Sequence, residues 1–564
     1  MPTESMRITR RALTTTTAFG ALLMIAHPAP AQDSYPRQPG ITITHYTFDV
    51  VLSDSTDEIS MNELVDIDLS RAGIDGINLD LCGPRPNGGT PVEPGDPCVG
   101  RGGANALSGQ ANAAGGAATT GMTVTAVTDG DRPLTFAQRG DVVHITFASS
   151  SHAGEHLSLS LAYHGTPATG FRIANNKYGD RSFVSNDWPD LAHNWLATID
   201  HISMKAPKTM TITAPAKYQV ISNGLLTQQV DLPNGMRRTT WDEKEPIPTW
   251  EFSLAAAPYA VDYLGTYHGI AMSSWVFPQE HDSGFKGFAS YTQPILEFYI
   301  DHIGPFSYEK LAQVQANTVG GGMELASDIF YGYNGVPSRQ LLAHEMAHQY
   351  FGNSASESDW DDVWLSEGFA TYFALLYQEF QDGHDAYLNG IRRSAASAIR
   401  YAQSHPQSTI VHQHLANISQ VIANNAQIYQ GGAQVLHMLR GVLGTETFWD
   451  GIRLYYSRFR NSNATNDDLR RAMQDACAAN PDCPADGRDL TWYFPEWLDR
   501  GGILQLDGSW HYDSTAKVLH VTLDQTQTQG LYRMPIEIGV TMPAEPAPGG
   551  GGRGGRGGAG AGRG

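Results

Sequence analysis

At 564 residues, with 41% hydrophobic and 10% aromatic side chains, the chain has the composition of a globular protein long enough for several cores. Its formal net charge of −21 argues against nucleic acid or an anionic membrane as the main partner. No stretch reaches the roughly 18 unbroken apolar residues that a transmembrane span needs.

The N-terminus reads as an export signal over residues 1–31. Arg7, Arg10 and Arg11 precede an apolar run, Ala18–Ala26, too short to span a bilayer, and Ala29-Pro30-Ala31 supplies a small-x-small cleavage pattern. Cleavage is expected after Ala31, into the periplasm or the exterior. Thr9-Arg10-Arg11-Ala12-Leu13 resembles a twin-arginine signal, and an ordinary secretory signal fits as well. The four cysteines fall into two local pairs, Cys82 with Cys98 and Cys477 with Cys483. Neither pair has Cys-x-x-Cys zinc spacing, and both suit disulfides in an oxidising compartment.

Residues 32–265 read as an N-terminal antiparallel β domain. HYTFDVVLSD, VVHITFASS, LSLSLAYHG, KTMTITAP and YQVISNG are short alternating or apolar runs separated by Gly, Pro, Asp and Asn. Within them, residues 82–121 form a Gly/Ala-rich insertion without periodicity. From 266 to 505 the apolar spacing becomes helical, in FASYTQPILEFYIDHIG, in Trp364–Phe380 and in Gly432–Val442. Residues 506–543 return to β signals, in LHVTLDQ and MPIEIGVTM. The 544–564 tail, rich in Gly and Arg, cannot bury a core and is expected to be disordered. The fold class is multidomain α+β.

The chemistry concentrates in Leu341–Gly352, LLAHEMAHQYFG. On a helix, His344 and His348 stand four residues apart on one face and can reach one metal ion, with Glu345 beside them as a proton acceptor. Ser338 is the expected N-cap and Gly352 the expected stop. Glu367 comes after His348 with 18 residues between them. A His₂Glu set leaves a fourth zinc position open, as in catalytic rather than structural sites. Asp361 and Asp362 are candidates for orienting the zinc histidines, or for capping the next helix.

HEMAHQYFGN followed by WLSEGFATY at this spacing resembles the aminopeptidase N family of zinc metallopeptidases, which also includes a leukotriene epoxide hydrolase. GGGMELAS at 320–327 is similar to the family's G-x-M-E-N exopeptidase motif, and IYQGGAQVLHML to its Tyr-x-x-Gly segment. WPDLAHNWLATIDHISMKA resembles the β-domain stretch that approaches the active site, and NATNDDLRRAM and FPEWLDRGG resemble the end of the catalytic domain. The likeness covers about 41–505. It implies a thermolysin-like, mainly helical catalytic domain holding one Zn²⁺ on His344, His348 and Glu367. Glu345 is then the general base and Tyr429 the donor to the tetrahedral oxyanion. Glu324, with Gly321, Gly322 and Met323, binds substrate and pairs with the free α-ammonium of a peptide.

Three departures stand out. Leu325 comes after Glu324 where the family often has Asn, and Gln430-Gly431-Gly432 comes after Tyr429 where it has Glu-Lys-Gly. Only a short β segment lies beyond the catalytic domain, so the family's large helical C-terminal domain is expected to be missing and the site to be open to longer peptides. The expected activity is removal of N-terminal residues from peptides. The competing readings are a zinc endopeptidase or epoxide hydrolase using the same site, and a non-catalytic binding protein on the same scaffold.

Overall fold

The computed structural model describes residues 33–86, 98, 119–317, 319–332, 337–536 and 538–540. The export signal and its cleavage point after Ala31, most of the 82–121 insertion and the 544–564 tail lie outside the described residues.

The N-terminal half is built on a long sheet whose strands run, edge to edge, Leu225–Leu232, Met236–Pro248, Lys205–Pro215, Ile41–Val51, Ile59–Leu69, Glu155–Thr166, Thr119–Asp129 and Arg85–Pro86. Alternation drives it. In Ile59–Leu69 the side chains of Ile59, Met61, Val65, Ile67 and Leu69 are buried on one face, while Ser60, Asn62 and Asp68 face water. The sheet is antiparallel except where Ile41–Val51 runs parallel to Lys205–Pro215. The purely antiparallel domain expected from the sequence is corrected at that pair. A three-stranded sheet, Gly76–Asp80, Val142–Thr146 and Thr135–Arg139, covers part of it. A four-stranded sheet, Phe171–Asn175, Arg181–Ser185, Leu254–Ala257 and Gln219–Ser222, connects it to the second half of the chain.

The second half opens with a five-stranded sheet in the order Ala260–Tyr267, Ile270–Val276, Lys310–Ala316, Asp328–Gly332 and Gly322–Met323. Its first strand, Ala260–Tyr267, spans the expected boundary between 265 and 266. The central strand, KLAQVQA, is buried at every position, which the sequence conceals because Gln313 and Gln315 interrupt its apolar run. Gln315 is satisfied internally, accepting from the Phe277 N–H at 2.9 Å and donating to Glu280 at 2.7 Å. Helices α1 (His281–His302) and α2 (Arg339–His348) pack against the sheet; α3 (Trp364–Asp382) packs on α2, α4 (His384–Ser404) and α5 (Gly432–Leu443) on α3, α6 (Thr445–Phe459) on α5 and α7 (Asn466–Ala479) on α6.

The first described residues lie across both halves. The Asp33 carboxylate meets His201 Nε2 at 2.8 Å and the Trp360 N–H at 3.2 Å, and its own N–H donates to Asp359 at 3.0 Å. Arg37 adds a bond to Asp359 at 2.9 Å.

The chain then forms a hairpin, Leu506–Asp513 with Val518–Gln525, whose register places Trp510 opposite Val521 on one exposed apolar face. Among the described residues, MPIEIGVTM forms no strand, contrary to its alternating pattern. Its neighbour Arg533 is held instead on Glu496, Asp486 and the Trp492 ring. Both cysteine pairs are joined, Cys82 to Cys98 and Cys477 to Cys483. No helix among the described residues is long and apolar enough to cross a membrane.

A candidate metal centre and its carboxylates

Helix α2 starts where the sequence places it. The Ser338 hydroxyl accepts from the Leu341 N–H at 3.2 Å. Leu342, Ala343, Met346 and Ala347 are buried beneath it, and Tyr299 of α1 donates to the Ala343 carbonyl at 2.7 Å. The helix ends at His348, and the chain reverses through Gly352 at φ +112°. A side chain at Gly352 would be strained, and its Cβ would stand 2.2 Å from Ser366 Oγ. That clearance matters because Ser366 Oγ is hydrogen-bonded to His348 Nδ1 at 2.9 Å. The bond fixes the ring and leaves Nε2 for a metal.

Three donors converge. His344 Nε2 and His348 Nε2 are 3.2 Å apart, and Glu367 Oε2, from the first turn of α3, lies 3.4 Å from the former and 3.3 Å from the latter. A tetrahedral ion with bonds of about 2.0–2.1 Å separates its ligands by about 3.3–3.4 Å, so this near-equilateral triangle is one face of a zinc tetrahedron. Glu367 Oε2 is buried and has no hydrogen-bond partner, the state of an atom kept for a ligand. Its other oxygen accepts from the Tyr429 hydroxyl at 2.5 Å. The donor set fits zinc.

The carboxylates of the site favour positive charge on its imidazoles. Burial alone would raise Glu367, but His348 and His344 hold its carboxyl down to about 2. Burial would lower His348, yet Glu324 and Glu367 carry it up to about 10. Burial and then the Glu324 charge push Glu345 well above the usual carboxylate range. Three buried carboxylates thus surround two imidazoles, and protons on His348 and Glu345 supply the compensation that a bound dication would otherwise give.

Glu345 lies against Gly322. A Cβ at Gly322 would come within 2.2 Å of the Glu345 carboxylate, whereas one at Gly321 would meet nothing within 4 Å. Gly322–Met323 is the edge strand of the five-stranded sheet, and Met323 is half-buried. Glu324 comes next, buried, with Oε1 3.9 Å from His348 Nδ1. Its loop is tied to the chain just beyond α2. Gln349 donates to the Glu324 carbonyl at 2.9 Å and to that of Leu325 at 3.3 Å, and Asn353 donates to the same Glu324 carbonyl. Leu325 is wholly buried, so the residue that departs from the family pattern serves the core while Gln349 and Asn353 shape the loop.

Tyr429 sits in a π-helical stretch, Ala426–Gly431, that runs into α5. Backbones meet there: a Cβ on Gly432 would be 2.9 Å from Gly368 Cα, next to Glu367. The crossing sets the Tyr429 ring parallel to that of His344, centroids 6.1 Å apart.

Asp361 and Asp362 do not orient the histidines. Asp361 accepts from the His414 and Leu415 N–H groups at 2.9 and 2.8 Å, and Asp362 from Asn466 at 2.6 Å. They organise loops, while Ser366 takes the orienting role. Sequence reasoning passed over Ser366, Gln349 and Asn353; the last two are polar residues wholly buried within the run 345–357.

Comparison with known proteins agrees with this geometry. Residues 122–250 match the Peptidase M1 N-terminal domain and residues 291–497 the Peptidase family M1 domain. The chain is 24% identical over 370 residues to putative aminopeptidase-2 of Caenorhabditis elegans, covering 60% of this chain and 19% of that protein. It is 25% identical over 351 residues to endoplasmic reticulum aminopeptidase 1 of Mus musculus, covering 58% and 37%. It thus spans well under half the length of these relatives. The M1 zinc metallopeptidase of Deinococcus radiodurans has the same fold, with a TM-score of 0.63 and 22% identity over 83% of this chain and 95% of that one. A mutant of that protein bound to a Tyr-Ser-Ala substrate superposes with a TM-score of 0.64 at 21% identity, covering 83% of this chain and 96% of that one.

Proposed function

The chain belongs to peptidase family M1, and we propose that it is a zinc-dependent aminopeptidase that hydrolyses the first peptide bond of peptides with a free N-terminus. The observation that carries the reading is Glu324, a buried carboxylate beside the triangle formed by His344, His348 and Glu367. Hydrolysis needs only a metal and a base. A second carboxylate at this position suits a cationic group on the substrate, and the α-ammonium of a peptide is the cation nearest a scissile bond.

His344, His348 and Glu367 would hold the zinc, which when bound polarises the scissile carbonyl and lowers the pKa of a bound water to about 7. Glu345, kept in place by the space above Gly322, takes a proton from the attacking water and delivers it to the leaving amine. Its low affinity for charge in this buried setting favours accepting that proton. The Tyr429 hydroxyl, aimed at the carboxylate of Glu367, stabilises the substrate oxygen as charge develops. Glu324 pairs with the α-ammonium and sets the first peptide bond over the reacting groups. The edge strand Gly322–Met323 offers unpaired backbone for the substrate to lie along.

Export belongs to the proposal. It rests on residues 7–31 and is supported by two joined cysteine pairs, which suit an oxidising compartment.

The test pairs a short peptide with its N-acetylated form. Cleavage is expected for the free peptide alone, and equal cleavage of both would return the site to the endopeptidase reading. Glu345→Gln should retain zinc and lose kcat by about 10²–10⁴-fold; near-wild-type turnover would remove Glu345 from its role.

A further inference from the structure

Lys205 lies in the β-domain stretch that leads toward the site, at the first position of the strand Lys205–Pro215. Among the described residues no acid stands within ion-pair distance of its ammonium, and the charges of Glu251, Glu357 and Glu245 act on it from farther away. It is placed on the turn just beyond α2. Nζ donates to the carbonyls of Asn353 at 2.8 Å and Ser354 at 2.9 Å and to Ser356 Oγ at 3.0 Å, with the Ser462 carbonyl at 3.4 Å.

The turn it holds is the one that shapes the amine end of the site. Asn353 donates to the Glu324 carbonyl, and the Asn353 N–H is bonded in turn to the carbonyl of the metal ligand His348 at 3.0 Å. One cation in the β domain is therefore two hydrogen bonds away from the backbone of Glu324. A lysine ammonium has three protons and no acceptor, so it can gather several acceptors at one point.

We propose that Lys205 is a positioning residue for recognition of the substrate amino group, acting through Asn353 on the placement of Glu324. This rests on the aminopeptidase reading above. Removing the ammonium leaves the Asn353 carbonyl only the Ser356 hydroxyl and the Ser354 carbonyl only the Ser462 N–H, which loosens the Asn353 turn and lets the Glu324 loop drift. Because a pairing with the α-ammonium exists before and during reaction, its loss appears mainly in KM.

The experiment compares Lys205→Met, which keeps the stem and removes the donors, with the wild type on alanine p-nitroanilide, together with zinc content and thermal melting. The expected result is a KM raised about tenfold with kcat reduced less than threefold and one zinc per chain. A variant that merely folds less completely lowers apparent kcat at constant KM, and that outcome overturns the proposal. A second variant, Asn353→Ala, must raise KM likewise, and the two changes combined must cost less than the product of each alone. Independent, multiplicative effects overturn it, and if Lys205→Met does not fold, an unchanged KM in Asn353→Ala does so. Failure of the wild type to cleave the substrate at all would instead strike the aminopeptidase reading.

Discussion

The Tyr429 hydroxyl donates to Oε1 of Glu367 at 2.5 Å, while Oε2 of the same carboxylate faces the two imidazoles. One side chain thus ties the metal triangle to the proposed oxyanion donor, and the tie constrains what each can do.

Tyr429→Phe removes the donor while keeping the ring beside His344. The expected outcome is a kcat lowered about 10²–10³-fold, with zinc still bound on its three ligands. Steady-state kinetics with metal analysis of the same sample checks this; loss of the metal would make Tyr429 a support for Glu367 and not a donor to substrate.

Gly322→Ala introduces a Cβ into the volume of the Glu345 carboxylate. The base must move, and a displacement of about 1 Å costs on the order of 10²-fold in rate. Gly321→Ala next to it enters open space and should cost little by comparison. Similar kcat values for the two variants would refute the packing argument.

Removal of zinc with a chelator should abolish activity, and one equivalent of zinc should restore it. The metal-free protein should also melt lower, since bound metal stabilises the folded state by mass action and the carboxylates around His348 lose their counter-charge. Differential scanning calorimetry with and without chelator reads the shift; identical melting would mean that the buried site is not the zinc site.

A pH effect is expected within the β domain. Burial lowers the His193 imidazole, but the hydrogen bond and charge of Asp200, 2.6 Å from Nδ1, outweigh it and carry His193 up to about 9. An imidazole raised above its usual value stabilises the fold fully below about pH 6.5 and loses that contribution as pH rises through about 9. The stability gap between wild type and His193→Gln, from denaturant titrations, should therefore shrink from pH 6 to pH 9.5. A constant gap would show that the pair contributes through packing alone.

The convergence of the three candidate ligands was legible because helical spacing fixes which side chains share a face, as His344 and His348 do, and because Glu367 stands at a fixed distance beyond them in sequence. The β character of the first half was legible for the same reason, since strands such as Ile59–Leu69 alternate between core and water. What escaped depends on residues far apart in the chain. Lys310–Ala316 was hidden because a strand buried on both faces loses its alternation and here carries glutamines. The parallel pairing of Ile41–Val51 with Lys205–Pro215 leaves no local trace. Ser366 looks like any hydroxyl at a helix start until Gly352 gives it access to His348. MPIEIGVTM shows the converse: among its described residues, alternation alone makes no strand.

The Asp33 carboxylate that meets His201 and Trp360 bears on how this protein can be engineered. A fragment cut at Ala260 would strand Asp359 and Trp360 without Asp33 and Arg37. The peptidase half is therefore not a portable cassette, and its folding should be assayed only with residues 33–37 attached. Circular permutation or fusion should open the chain elsewhere, and the exposed turn between Asp513 and Val518 is the site that breaks none of these ties.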